Sequence, residues 1–415
     1  MSRAASRHDH QFNRRQFIQT AGLAGLAGFV GTGPGSARAA DSITLPFENG
    51  ERPLVKYPQK RPLMRLTTRP PQLETPFAVF NEGILTPNDA FFVRYHLMGL
   101  PPSNIDLATF RVQVKGRVGQ PLTLSVAQLK SEFEPVEVVA VNQCSGNSRG
   151  FFEPRVPGGQ YGNGAMGNAR WKGVRLSDVL KKASPAQGAR QVVVNGLDSP
   201  LLPQTPDFIK ALDLDHALDG EVMLAYGMNG EDLPWLNGYP LKLVVPGHYG
   251  TYWIKHVSEI TVIDDVLSTF WMTPAYRIPD NAGACVDPGT KPDKTVSIKR
   301  YNVRSFITSL ADGAQVKAGQ TAVVRGIAFD GGYGIQEVIF SEDGGRNWRE
   351  AALGKDFGKY SFREWTIPFT PRKAGNYELK VKATNSIGQS QPMKPLWNPS
   401  GYMRNVVETV RVSAV

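Results

Sequence analysis

The chain has 415 residues, 41% of them hydrophobic and 20% charged, with 42 glycines, 31 prolines and a net charge of +10. That length accommodates two or three domains with real cores, and the glycine and proline content favours loops and strands over long helices. The basic surplus suits an anionic substrate or an acidic partner and is equally ordinary for a secreted bacterial protein, while the lack of a Lys/Arg run or an aromatic–basic ladder excludes a nucleic-acid reading.

The N-terminal stretch NRRQFIQTAGLAGLAGFVGTGPGSARAA is read first as an address. Arg14-Arg15 followed by Phe17-Ile18 fits the twin-arginine pattern, and Ala37-Arg38-Ala39 is a small-residue cleavage site. Residues 1–39 are therefore predicted to be a signal peptide for the twin-arginine export machinery, with a plain signal or an uncleaved anchor as alternatives. This route exports folded proteins, often with a cofactor inserted, and points to the periplasm. The Ala/Gly-rich middle is too short and too weakly apolar for a membrane span, so the mature chain is expected to have none. Five arginines and Asp9 lie in this segment, which leaves +6 for the remainder.

An oxidising periplasm raises the question of a disulfide, but Cys144 and Cys285 sit in unlike loops and are expected to stay unpaired. Two cysteines cannot build a metal site alone, and there is no C-x-x-C-H haem attachment. The six histidines form no H-E-x-x-H or H-x₃₋₅-H pair, so zinc is not indicated.

From Asp41 to about Leu85 the Pro-rich, polar chain reads as an extended arm over the surface. FRVQVKG places Phe110, Val112 and Val114 on one face of a strand. TLSVAQLKSEF reads as a short helix capped by Ser125. VEVVAV, Val136 to Val141, is a strand running directly towards Cys144. RLSDVLKKA is a second short helix, and QVVVNGLD, PLKLVVPG and EITVID are strands. Residues 40–285 are thus expected to form an α+β domain with its chemistry on loops.

Asp280 to Lys294 is boundary-like. Beyond it, TAVVRGIAF, IQEVIF, REWTIPF and YELKVKA are strands; Tyr377, Leu379, Val381 and Ala383 alternate with charged residues, and Asp343-Gly344 marks a hairpin turn. Residues 290–415 are predicted to be an immunoglobulin-like β-sandwich.

The stretch VNQCSGNSRG carries the chemistry. Cys144 follows a strand and lies among small and polar residues, with Arg149 five positions on. Such a thiol is either a nucleophile, which needs a base that no local histidine supplies, or a single soft ligand to a metal carried by an organic cofactor.

FFVRYHL, NQCSGNSRG, GLDSP, AYGMNGEDLP, GYPLKLVVPGHYGTYWIKHV and WNPSGY, in this order from about Phe91 to the C-terminus, together resemble the sulfite oxidase family of molybdenum enzymes. Within it, the chain is most similar to the periplasmic bacterial sulfite dehydrogenases. The resemblance implies a molybdopterin domain followed by a dimerisation-type sandwich, and a molybdenum–molybdopterin cofactor with Cys144 as the metal ligand. It further implies cofactor contacts from Phe92, Val93, Arg94, Tyr95, His96, Asp198, Asn237, Lys242, Lys255 and His256. Arg94, His96, Arg149 and Tyr276 fall at catalytic positions. Asn237 stands where vertebrate relatives have histidine, and Lys242 where they have arginine, which keeps the charge but loses a planar fork.

The implied reaction is oxidation of sulfite, a small dianion suited to bidentate arginines, to sulfate. Electrons would leave singly to a separate periplasmic c-type cytochrome, since no haem domain precedes the molybdenum region here. A homodimer and a heteromer with a cytochrome subunit both stay open. The alternatives are a related enzyme acting on carrier-bound sulfane sulfur or on a sulfoxide, and a metal-free secreted binding module. Taken singly, each of these residues is more often a surface ion pair or a packing residue; their joint register singles them out.

Overall fold

Runs of Val, Ile and aromatic residues at period two become strands, and they dominate the molecule. The structure, a computed structural model, describes residues 42–415; the expected twin-arginine leader, residues 1–39, lies outside them. Among the described residues there are 26 strands and three α-helices, Val126–Glu132, Leu176–Ala183 and Leu214–Leu218. The expected α+β class is realised as a mostly β protein: even Thr251–Thr273, which holds no glycine or proline, is rich in β-branched and aromatic residues and forms the strand Val257–Ile263 rather than a helix.

The strand Pro135–Gln143 pairs antiparallel with Met166–Arg175, from Pro135 opposite Val174 to Gln143 opposite Met166. Met223–Met228 adds to the far edge of Met166–Arg175 and also pairs with Lys242–Val244. Both ends of the loop 144–165 are thereby fixed on adjacent strands. In a second sheet, Val257–Ile263 lies between Gln191–Gly196 and Val112–Gly116, antiparallel to the first and parallel to the second. The helix Val126–Glu132 starts at Ser125 as expected. The Ser125 hydroxyl accepts from the Gln128 N–H, and the Gln128 side chain accepts from the Ser125 N–H, a complete capping box.

The N-terminal segment corrects the sequence reading. It is no arm over the surface: Ser42–Thr44, Glu51–Val55, Leu63–Thr67, Gln72–Glu74 and Val93–Arg94 form one five-stranded antiparallel sheet. Leu63 and Leu73 are fully buried there against Val93, Tyr95 and Leu236. The strands are short and proline-interrupted, so no period-two run was visible; long-range pairing made them.

The C-terminal residues form two facing sheets. One holds Arg304–Ile307, Ala322–Phe329, Arg363–Phe369 and Ala352–Leu353; the other holds Ala314–Val316, Thr409–Ala414, Gly375–Asn385, Ile335–Ser341 and Arg349–Glu350. Their inner faces share a core of Val324, Trp365, Ile367, Val338, Phe340, Leu379 and Val381. Asp343 closes the expected turn, with Gly344 and Gly345 at φ 77° and 96°. The boundary stretch is bridged by pairing of Arg277–Pro279 with Thr295–Ser297. Tyr301, Phe306, Phe329, Tyr360 and Phe362 pack into the core of the preceding sheets, and the described residues form one compact unit.

Candidate active site

The Pro135–Gln143 strand delivers Cys144 to the wall of a small cavity, which it lines together with Arg94, His96, Lys242, Lys255 and Tyr276. Backbone bonds tie its loop in place: Cys144 N–H donates to Ala165 O at 2.9 Å, Asn147 N–H to Cys144 O at 3.0 Å, and Ser148 N–H to Gly162 O at 2.7 Å. Ser148 itself is left-handed, at φ 69°. A Cβ on Gly146 would lie 2.5 Å from the Arg149 guanidinium, so glycine leaves that arginine its place under the loop. Both cysteines are free thiols.

The cavity gathers most of the residues singled out in the sequence. Phe92, Arg94, Tyr95, His96, Cys144, Asp198, Asn237, Lys242, Lys255 and Tyr276 all line it. Three expected residues do not. Val93 points into the packing around Leu63 and Leu73. His256 lies one layer out: its Nδ1 donates to Tyr239 O at 2.6 Å, which leaves Nε2 to accept from the Tyr95 hydroxyl at 2.7 Å. Burial and then Lys255 push its pKa down to about 3, so it is a neutral spacer fixing Tyr95. Arg149 sits behind the wall, with Nε on Ser400 O and Nη1 on Gly159 O, both at 3.2 Å. Its guanidinium lies 5.0 Å from the Tyr402 ring centre, and Tyr402 stacks parallel to Tyr276 at 5.6 Å.

Arg94 is therefore the arginine that faces the cavity. Burial works to lower its pKa, but Tyr161, Tyr276, Cys144 and Tyr402 oppose this and raise it above its ordinary value. It stays charged, and it lines the same cavity as the thiol. The Tyr276 hydroxyl is hydrogen-bonded to His96 Nε2. Burial, chiefly, raises the Tyr276 pKa, so the phenol is protonated. His96 stacks on Phe208 at 3.6 Å, with Trp271 edge-on at 5.1 Å. Burial first, then Arg94, Lys255 and Lys210, hold its pKa well below the ordinary value, so the imidazole is neutral.

The opposite end is rich in amines. Lys242 donates to Asn237 O at 3.2 Å between Trp171 and Trp253, and Lys255 donates to Leu236 O at 3.3 Å over the Tyr95 ring. Burial pushes Lys242 down to about 7, and burial with Lys242 next to it pushes Lys255 well down, against the pull of Asp198. Burial also raises Asp198 to about 6, opposed by Lys255. Lys60, from the N-terminal sheet, donates to Asn237 Oδ1 at 2.5 Å and to Phe91 O at 3.0 Å; burial lowers it to about 7. In turn, Asn237 Nδ2 donates to Phe92 O at 3.1 Å.

These features fit a molybdopterin. Among the described residues no three His, Cys, Asp or Glu side chains converge, so a metal here must bring ligands of its own. Asp198 is the one carboxylate acting on Lys255, and among the described residues none pairs with Lys242, which calls for an anionic group such as a phosphate. Asn142 Oδ1, Ser145 Oγ and Thr251 Oγ1 are buried, line the cavity and lack partners, as a polar heterocycle requires. A Cβ on Gly250 would come within 2.5 Å of Asn142 Oδ1, so glycine keeps that cradle open.

Sequence reasoning missed Lys60, Lys210, Phe208 and Trp271, and nothing local marks a lysine destined for burial. Tyr402 had a signal, since it closes the WNPSGY stretch.

Comparison with known proteins agrees. Residues 98–271 match the oxidoreductase molybdopterin binding domain, and residues 295–414 match the Mo-co oxidoreductase dimerisation domain. Mitochondrial sulfite oxidase of Rattus norvegicus is 32% identical over 398 residues, covering 92% of this chain and 71% of that one. Sulfite oxidase of Arabidopsis thaliana is 29% identical over 387 residues, covering 86% and 96%. Among solved structures, the sulfane dehydrogenase SoxCD from Paracoccus pantotrophus overlays with a TM-score of 0.71 at 21% identity over 92% of each chain, a likeness of fold. With a lone thiol in the wall of an amine-rich cavity, and these relatives over nearly its full length, the chain belongs to the sulfite oxidase family of molybdopterin oxidoreductases.

Proposed function

We propose that this chain oxidises sulfite to sulfate in the periplasm and passes the electrons singly to a separate c-type cytochrome. The observation that carries the substrate is Arg94, a charged guanidinium lining the same small cavity as Cys144 and beside the protonated Tyr276. Cys144 and the Lys242–Lys255–Asp198 end would hold the molybdenum–molybdopterin group, which would supply two-electron chemistry for oxygen-atom transfer.

The chain's own residues do the rest. Arg94 binds the oxyanion and orients its sulfur lone pair inward. His96, kept neutral, fixes the Tyr276 hydroxyl, which donates a hydrogen bond where charge changes during the reaction. Phe208, Trp271 and Tyr402 wall off water. Export by the twin-arginine machinery and a periplasmic location rest on the Arg14-Arg15 leader. The sandwich, which we take to be immunoglobulin-like, is the surface for a second copy or a cytochrome subunit, in keeping with the dimerisation domain that it matches.

The test is Cys144→Ser together with metal analysis. Wild type should contain about one molybdenum per chain and turn over sulfite with a cytochrome acceptor. The serine variant should lose oxidation while keeping its thermal midpoint, because a hard oxygen replaces a soft sulfur donor. Near-normal turnover in that variant would remove Cys144 from the chemistry. Faster turnover of a carrier-bound persulfide than of sulfite would shift the substrate to sulfane sulfur.

A further inference from the structure

Behind Tyr276 lies a buried amine that the scheme above leaves idle. Lys210 opens the strand Lys210–Asp213 and is 2% exposed. Its ammonium donates to the Trp271 carbonyl at 2.6 Å. Otherwise it faces two rings, with Nζ 4.8 Å from the Tyr252 centre and 4.9 Å from the Tyr276 centre. No carboxylate among the described residues pairs with it, and burial alone pushes its pKa down to about 7. An unpaired buried ammonium costs stability, and two aromatic faces and one carbonyl offset only part of that. A leucine or methionine would pack there more stably, so the charge is retained against the interest of the fold.

Its contacts reach both members of the pair at the cavity wall. It touches the Tyr276 ring directly. It also holds Trp271, whose ring packs 5.2 Å from Phe208 and 5.1 Å from His96, and Phe208 stacks on His96. We propose that Lys210 is a positioning residue for the Tyr276–His96 pair, fixing the tyrosine through its ring face and the imidazole through the Trp271–Phe208 wall. This rests on the reading that Tyr276 and His96 face the reacting centre. The same charge acts on protonation: the cations around His96 are Arg94, Lys255 and Lys210, and the remaining titratable group facing it is the Tyr276 hydroxyl. Removing Lys210 therefore makes His96 easier to protonate.

The experiment is the metal-loaded Lys210→Met enzyme, assayed with sulfite from pH 4 to 9. We expect kcat to fall at least tenfold and KM to change less than threefold. The acid limb of the kcat profile should move to higher pH, and the thermal midpoint should hold or rise. A merely structural lysine would lower the midpoint along with the activity. Combined with Tyr276→Phe, Lys210→Met should cost no more than a further threefold, because its effect passes through the hydroxyl that is already gone. Unchanged kcat in the single variant, or the same fold-loss in the Tyr276→Phe background, overturns the proposal. If Tyr276→Phe alone leaves kcat intact, the reading of the site itself falls, and this inference with it. Should Lys210→Met fail to accumulate, Lys210→Gln removes the charge and keeps a donor for the Trp271 carbonyl; wild-type kcat and pH profile in that variant would equally overturn the assignment.

Discussion

Two arginines 55 positions apart in the sequence, Arg94 and Arg149, end at different depths. Arg94 lines the cavity, whereas Arg149 lies one ring behind it, bonded to the Ser400 and Gly159 carbonyls and covering Tyr402. Their substitutions should separate accordingly. Arg94→Gln removes a desolvated charge facing the substrate, worth about 2–5 kcal/mol, so kcat/KM should fall by tens- to thousands-fold, mostly through KM. Arg149→Gln leaves two carbonyls without donors and should cost about 1–3 kcal/mol of stability, with the smaller loss in kcat/KM. Steady-state kinetics and denaturant titration of the two variants decide this; a larger kinetic loss in Arg149→Gln would mean that the second arginine swings into the pocket during turnover.

The cysteine loop is an element braced from outside its own sheet. Arg304, on the sandwich strand Arg304–Ile307, is 1% exposed and donates to Ser148 Oγ at 2.7 Å, to Asn163 Oδ1 at 3.2 Å and to Glu408 at 3.3 Å. From the other side, the buried Glu74 carboxylate accepts from Gly162 N–H at 3.0 Å and Gly164 N–H at 2.8 Å. The loop that presents Cys144 is thus clamped between the N-terminal sheet and the sandwich. Arg304→Met should lower stability by about 2–4 kcal/mol, since it strips a buried hydroxyl and amide of their charged donor. Molybdenum occupancy should fall with it. Urea midpoints and metal content measure both, and a variant with wild-type values in each would show that the sandwich does not hold the loop.

Across the whole molecule, the cluster of buried amines ties stability to the cofactor. Lys60 and Lys242 are both pushed from 10.5 to about 7, mainly by burial. Between pH 7 and 10.5 the folded cofactor-free chain therefore binds fewer protons than the unfolded chain, and its stability climbs with pH. Below pH 7 both states are protonated and the full cost of the buried charges stands. An anionic cofactor offsets those charges, raises the folded pKa values and flattens the slope. The gap in thermal midpoint between cofactor-loaded and cofactor-free protein should be widest near pH 6 and narrow towards pH 9–10. A gap independent of pH would mean that the lysines do not meet the anionic end of the ligand.

Local pattern sufficed wherever a residue's partner lies within a few positions. Val136 to Val141 is a valine-rich run that becomes a strand, Ser125 caps its helix through Gln128, and Tyr377 to Ala383 alternates about the sandwich core. The thiol in NQCSGNSRG, Arg94, His96 and Tyr276 were legible too, because the order of the short stretches around them resembles a family whose chemistry fixes their use. The matched molybdopterin domain spans residues 98–271, yet Arg94, His96, Tyr276 and Tyr402 all lie outside it. Only the folded chain brings Arg94, His96 and Tyr276 to one cavity wall, with Tyr402 stacked behind Tyr276. Tertiary structure likewise turned the proline-rich N-terminal segment into a sheet, drew Lys60 and Lys210 inside and left Arg149 behind Tyr402. The physical reason is common to all of them: a side chain's burial and charge state depend on groups dozens to hundreds of residues away, which periodicity and capping rules, reaching a few residues, do not encode.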